Sequence, residues 1–259
     1  MNTSRMPSVF VGHGSPMNAI ETNAYTDAWR KLGESFPHPS AILAISAHWY
    51  VRETAITAAA KPKTIHDFRG FPPELFAFNY PAPGAVALVP RVQQLLAPTK
   101  VSADEEWGLD HGTWSVLAHM YSQANIPVAQ LSIDASLPAQ AHYDLGRQLG
   151  ALRDEGVMIF ASGNIVHDLR RLNWDSAAVP YAWAREFNDS VREALARGDH
   201  RYAIDYEKGG AAANASIPTP EHYLPLLYVL GASRPADVVS FPTDGLEMGS
   251  ISMLSVLNA

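Results

Sequence analysis

Apolar residues in this chain gather into short unbroken runs, and several runs stop at a turn that carries a histidine. The first, Ser8-Val9-Phe10-Val11, has the β-branched and aromatic character of a buried strand, and Gly12, Gly14 and Pro16 end it at once around His13. Residues 41–46 (AILAIS) repeat the arrangement and run into Ala47-His48-Trp49. A third run, 157–161 (VMIFA), ends at Ser162-Gly163-Asn164, with His167 and Asp168 a turn further on. Residues 54–60 read as a hairpin partner of AILAIS, 100–103 as a short strand and 127–134 as another. The final stretches 237–241 and 249–254 read as an antiparallel edge.

Helical spacing fills the intervals at 23–32, 85–96, 138–153 and 183–198, the last being the clearest amphipathic helix and a piece of scaffold. The Gly-Gly-Ala-Ala-Ala stretch near Gly210 fits either a flexible connection or a close-packed helix start. PTPEHYLPLLYVLGA sets Glu221 and His222 at the start of an apolar helix. Strands alternating with helices predict an α/β fold, a single domain over 1–259 with a central mixed, largely parallel sheet flanked by helices. If the first two strands are parallel neighbours joined by helix 23–32, a right-handed crossover brings both carboxyl ends to one sheet edge. His13 and His48 then face one another at the edge where open α/β sheets bind ligands.

Composition narrows the partners. The 259 residues suffice for a sizeable core, and a hydrophobic share of 47% against 17% charged favours extensive burial. A formal net charge of -7, with no basic run, argues against nucleic acid or an anionic membrane as partner. With no cysteine there is neither a disulfide framework nor a thiolate metal site, so any metal must be held by histidine and carboxylate. The amino-terminal apolar run is too short for a signal peptide and no stretch approaches a membrane span, which points to the cytoplasm.

Ten histidines supply the candidate chemistry. His13, His48, His167 and His222 lie at element ends, as expected of a metal site assembled from distant segments, and neutral imidazoles suit zinc, iron, copper and nickel. In LDHGTWSVLAHMY, Thr113 reads as the N-cap of a helix and His111 sits at its positive end, while His119 inside it is packing. The Pro- and aromatic-rich segment 61–84 reads either as an ordered pocket wall or lid or as an insertion packed on the surface. From it His66 and Tyr80 are candidate substrate contacts, with Trp49 a further wall residue. His38, His142 and His200 occupy turn or helix-surface contexts and read as solvated; Asp168 either orients a histidine or begins a helix.

GHGSPMN around His13, ISAHW around His48, LDHGTW around His111, ASGNIVHDL around His167 and PEHYLPLLYVLGA around His222 resemble, in order, the class III extradiol ring-cleavage dioxygenases of the LigB type. The 4,5-DOPA dioxygenase branch is the nearest in pattern, over nearly the whole chain and including FPPELFAFNYPAPG. The resemblance implies a metal at the carboxyl edge of the sheet, held by His13, His48 and His222. The wider class uses two histidines and a carboxylate, and here the matching region carries both Glu221 and His222. It further implies His167 as acid–base group, able to approach the metal as a fourth ligand in a zinc-loaded resting form, and His111 as a fixed donor to developing oxygen charge. The implied reaction opens a catechol, a small aromatic diol, with O2 to a semialdehyde, with Fe(II) as working cofactor and Zn(II) as the ion that such a site readily acquires. Two other readings use the same residues: a zinc hydrolase or lyase that turns over without O2, and a non-catalytic binding protein that keeps the fold.

Overall fold

The computed structural model describes residues 5–175 and 179–259. One eight-stranded sheet is built from β1 (Ser8–Gly12), β2 (Ala41–Val51), β3 (Thr54–Thr57), β4 (Val101–Asp104), β5 (Val128–Asp134), β6 (Val157–Gly163), β7 (Val239–Ser240) and β10 (Val256–Asn258), in the order β4-β3-β5-β2-β6-β1-β10-β7. The centre β5-β2-β6-β1 is parallel, and β3 and β10 join it antiparallel on either side. This is the mixed, largely parallel sheet expected from the alternating pattern. A separate two-stranded ladder joins β8 (Leu246–Glu247) to β9 (Ile251–Ser252).

Both faces of the central strands are covered, which is why these strands read as continuous apolar runs with no polar alternation. Phe10, Leu43, Ile45 and Ile159 point into one core, and Val9, Val11, Ile42, Ala44 and Phe160 into the other. The helices flanking them are α1 (Ala24–Glu34), α2 (Pro73–Ala77), α3 (Leu88–Leu96), α4 (His111–Met120), α5 (Ala139–Leu149), α6 (Ala182–Ala196), α7 (His200–Ile204), α8 (Gly210–Ser216) and α9 (Leu224–Ala232). Every residue of α9 is buried, as befits a helix apolar all round, and it packs on α5 and β6. Gly146 and Gly231 let α5 and α9 approach closely, since a Cβ at either would meet backbone of the other helix at 2.3 and 2.1 Å.

Several expectations change. β1 and β2 are not neighbours, because β6 lies between them, parallel to both; their carboxyl ends still share one edge. β3 forms no hairpin with β2, both of whose edges are occupied by β5 and β6, and pairs instead with β5 and β4. Of the last stretches, only β7 reaches the antiparallel edge, where β10 is its partner; residues around Ile251 leave the sheet for the small ladder. The Gly210 segment is a helix. Asp110, not Thr113, caps α4: the aspartate carboxylate accepts from the Thr113 amide, and the Thr113 hydroxyl is spent on Gln130. Among the described residues no helix is long and apolar enough to cross a membrane.

His142 is the largest departure from the solvated reading. It is fully buried between α5 and α9, with Nδ1 2.9 Å from the Tyr228 hydroxyl. Burial lowers its pKa to about 4. The unfolded chain takes up this proton near the ordinary value, so the stability contributed by a neutral His142 is complete above about pH 6.5 and is lost as pH falls towards about 4, a span worth ~3 kcal/mol. His142→Gln is expected to flatten the pH dependence of unfolding free energy by about that amount between those limits. Denaturant titrations across the range check it, and an unchanged slope would assign the protons elsewhere.

Candidate metal centre

The carboxyl edge of the parallel strands is where the histidines converge. His13 directly follows β1, and its backbone amide donates to the Gly163 carbonyl at the end of β6. Gly14 turns the chain away with φ of +62°, a conformation that side chains with a Cβ adopt rarely. The Asn18 amide holds the His13 carbonyl at 3.0 Å. His48 lies inside β2 and not past its end: the strand continues to Val51, but its pairing with β5 breaks between Ile45 and Tyr50, and the irregularity contains His48. The hydroxyl of Ser46 stabilises this break by accepting from the His48 amide while donating to Asp110.

His222 comes from the turn before α9. Its carbonyl accepts from the Asn164 amide, and only a glycine at 163 permits the approach, because a Cβ there would stand 2.1 Å from that carbonyl oxygen. His167, just beyond β6, lies flat on His222 with ring centroids 3.5 Å apart and planes within 10°. His111 is the first residue of α4, and its ring centroid lies 3.9 Å from that of His48.

Each of three imidazoles is oriented through Nδ1 by a different partner. His13 Nδ1 meets the Ser162 hydroxyl at 2.9 Å, His48 Nδ1 the Asp67 carboxylate at 3.1 Å and His222 Nδ1 the Glu221 carboxylate at 3.3 Å. The Nε2 atoms of His13 and His48 are 3.3 Å apart. His13, His48 and His222 offer ligand atoms all within 4.8 Å of one another. Ring nitrogens so close, each backed by a hydrogen-bonding group on the far side of the ring, form a donor set suited to a divalent cation. Two overlapping groups meet the same distance criterion, His48 with Asp67 and His111, and His167 with Glu221 and His222. Asp67 has both oxygens engaged, one by each imidazole, whereas Glu221 uses Oε1 alone for His222 Nδ1 and the Thr219 hydroxyl.

Electrostatics favour unprotonated nitrogens. Burial, reinforced by neighbouring imidazoles, drives His13 and His222 well below the ordinary histidine value and takes His111 and His167 to about 4. His48 is the exception: burial opposes its protonation, but the Asp67 bond and the charges of Asp110, Asp67 and Glu221 prevail and raise it. Asp67 itself resists burial and is held strongly ionised by its bonds to His111 and His48.

Segment 61–84 covers these groups and forms one wall of a cavity of about 300 Å³, whose lining includes His13, His48, His111, His167 and His222. His66 and Tyr80, the expected substrate contacts, do not line it. His66 is turned away, with Nε2 bonded to the Phe78 carbonyl among Phe68, Phe76 and Trp114, and Tyr80 is buried with its hydroxyl on the Tyr121 carbonyl. Trp49 is buried against Trp107 instead. Asp168 caps a turn and binds Arg170 and Arg171. The residue that sequence reasoning missed is Asp67. Its carboxylate joins Nδ1 of His111 at 2.9 Å to Nδ1 of His48. A lone acid in an aromatic run, TIHDFRGF, was the available signal, and nothing local tells which histidines it reaches.

Comparison with known proteins agrees with this geometry. Residues 3–255 match the family described as the catalytic LigB subunit of aromatic ring-opening dioxygenase. The chain is 52% identical over 262 residues to a protein of Escherichia coli K12 named 4,5-DOPA dioxygenase extradiol, covering 99% of this chain and 96% of that one. A Beta vulgaris protein of the same name is 39% identical over 231 residues, covering 86% and 85%. A crystal structure of an uncharacterized protein from Escherichia coli K12 superposes with a TM-score of 0.87 at 48% identity, over 98% of this chain and all of that one. The chain belongs to the LigB family of aromatic ring-opening dioxygenases. It is an oxidoreductase of the extradiol ring-cleaving kind, with a His/Asp cluster able to bind metal.

Removing the Asp67 side chain frees His48 and His111 together. Asp67→Ala is expected to weaken binding of zinc to the histidine cluster by ~10–100-fold with the far-ultraviolet spectrum unchanged. Equilibrium metal titration measures it; undiminished affinity would mean that the carboxylate does not orient the cluster.

Proposed function

We propose that this protein opens the ring of a DOPA-like catechol beside its diol with O2, using Fe(II) held by His13, His48 and His222. The observation that supports the ligand assignment is the shared arrangement of the three rings: Nδ1 bonded to Ser162, Asp67 and Glu221, ligand nitrogens within 4.8 Å of one another, and the Nε2 atoms of His13 and His48 3.3 Å apart. Glu221 then serves as the orienting partner of His222 and not as a ligand. A redox-active ion with three protein ligands keeps open positions for both catechol oxygens and for O2, and supplies the electron exchange between them that zinc cannot.

The remaining residues manage protons and water. His167 lines the cavity, and among the described residues no hydrogen bond occupies its ring. Held flat against His222, it accepts the proton of a catechol hydroxyl as the diol binds. His111 works under a constraint from Asp67: with Nδ1–H donated to the carboxylate, Nε2 carries a lone pair. It therefore accepts a proton first, which Asp67 stabilises, and donates to developing oxygen charge afterwards. Phe68, Phe71 and Met248 line the cavity and keep water from these transfers. The relatives named for extradiol cleavage of DOPA support the catechol as substrate class.

Reconstituted with Fe(II) under anaerobic conditions and then given DOPA and air, the protein should form a yellow semialdehyde with one O2 consumed per catechol. No O2 uptake with any catechol, despite bound iron, would end this reading. His167→Ala should retain most of the bound metal and lose ring cleavage by ~100-fold or more. Loss of the metal instead would make His167 a ligand.

A further inference from the structure

The cavity is strongly asymmetric in charge. Its floor is imidazole, and its walls are largely aromatic and aliphatic, with Phe68, Phe71, Leu172 and Trp174 among them. Arg69 is the lining cation. Among the described residues no ion pair or hydrogen bond engages its guanidinium, whereas Arg170 and Arg171, on the neighbouring turn, are both bound to Asp168. The carboxylate of the lining is Asp67, and both of its oxygens are committed to His48 and His111. An aromatic ring seated over the histidines with a side chain pointing outward thus meets, among the described lining residues, an unpaired positive charge and no unpaired negative one.

Resting on the catechol reading above, we propose that Arg69 forms an anion subsite and that the preferred substrates are catechols with a carboxylate on the ring's side chain. A guanidinium presents a planar pair of N–H donors that matches a carboxylate, and among the described residues none engages those of Arg69. The ammonium of a catecholamine finds no counterion among the described lining residues and repels Arg69. The net charge of -7 makes the local cation more consequential, because an anionic substrate gains nothing from the protein's overall field. Arg69 is solvent-exposed, so the contact is moderate in strength and sensitive to salt.

The test compares 3-(3,4-dihydroxyphenyl)propanoate, uncharged 4-ethylcatechol and dopamine on iron-loaded wild-type protein, Arg69→Met and Arg69→Lys. Wild type should show the lowest KM for the acid and the highest for dopamine. Arg69→Met should raise KM for the acid by ~5–10-fold, leave 4-ethylcatechol within about twofold and improve dopamine, with kcat for the neutral catechol unchanged. Arg69→Lys should recover part of the discrimination, and high salt should erode it in wild type. Equal shifts for acid and neutral catechol, or a wild type indifferent to the carboxylate, would overturn the subsite while leaving ring cleavage intact. Calorimetric binding of 3-(4-hydroxyphenyl)propanoate against 4-ethylphenol decides the subsite without turnover. A protein that cleaves no catechol yet prefers the acid tenfold through Arg69 would fail the functional reading and keep the subsite. No preference in that binding would remove the subsite whatever the turnover.

Discussion

The carboxylate of Asp67, bonded at once to Nδ1 of His48 and Nδ1 of His111, is the interaction on which the geometry of this edge turns. Five imidazoles lining one cavity repel one another if protonated and have no fixed orientation if left alone. Burial answers the first difficulty by making protonation costly at four of them. Asp67, Ser162 and Glu221 answer the second, each fixing a ring through Nδ1. Because Asp67 serves two rings, its loop ties a strand residue to the first residue of a helix. Wall and floor of the cavity are thus parts of one hydrogen-bonded unit.

That unit depends on very close backbone approaches. Gly163 admits the His222 carbonyl, and Gly112 leaves room for the His48 ring, which a Cβ would meet at 2.9 Å. Behind them, α9 carries no polar face and is wholly surrounded, so the turn bearing His222 is anchored by the apolar core. The most desolvated part of the molecule therefore supports its most polar cluster. The same desolvation keeps ring nitrogens unprotonated and strengthens the electrostatic interactions on which proton transfer in the cavity relies.

Segment 61–84 joins these roles. Its aromatic residues pack among themselves and on Trp114, which orders a long loop without regular strands. The ordering turns His66 and Tyr80 inward as structural members and presents Asp67, Phe68 and Arg69 to the cavity. Consecutive residues 67–69 thereby face the cavity, while His66 beside them and Tyr80 further on hold the loop.

Local pattern by itself determined the architecture and much of the cluster. Runs such as VFV and VMIFA are apolar on both faces only because helices cover both sides, so a layered parallel sheet with turns at one edge follows from them, and His13, His48, His167 and His222 follow as residents of that edge. Tertiary structure decided what spacing cannot encode. Whether β6 or β2 lies beside β1 depends on competition among several equally apolar strands. His142 looked solvated because its own helix offers it a half-polar face, and it is buried because α9 arrives from more than 80 residues away. Asp67 gained its meaning the same way, since a hydrogen bond is set by distance and angle in space, and its two histidines lie 19 residues before it and 44 after it.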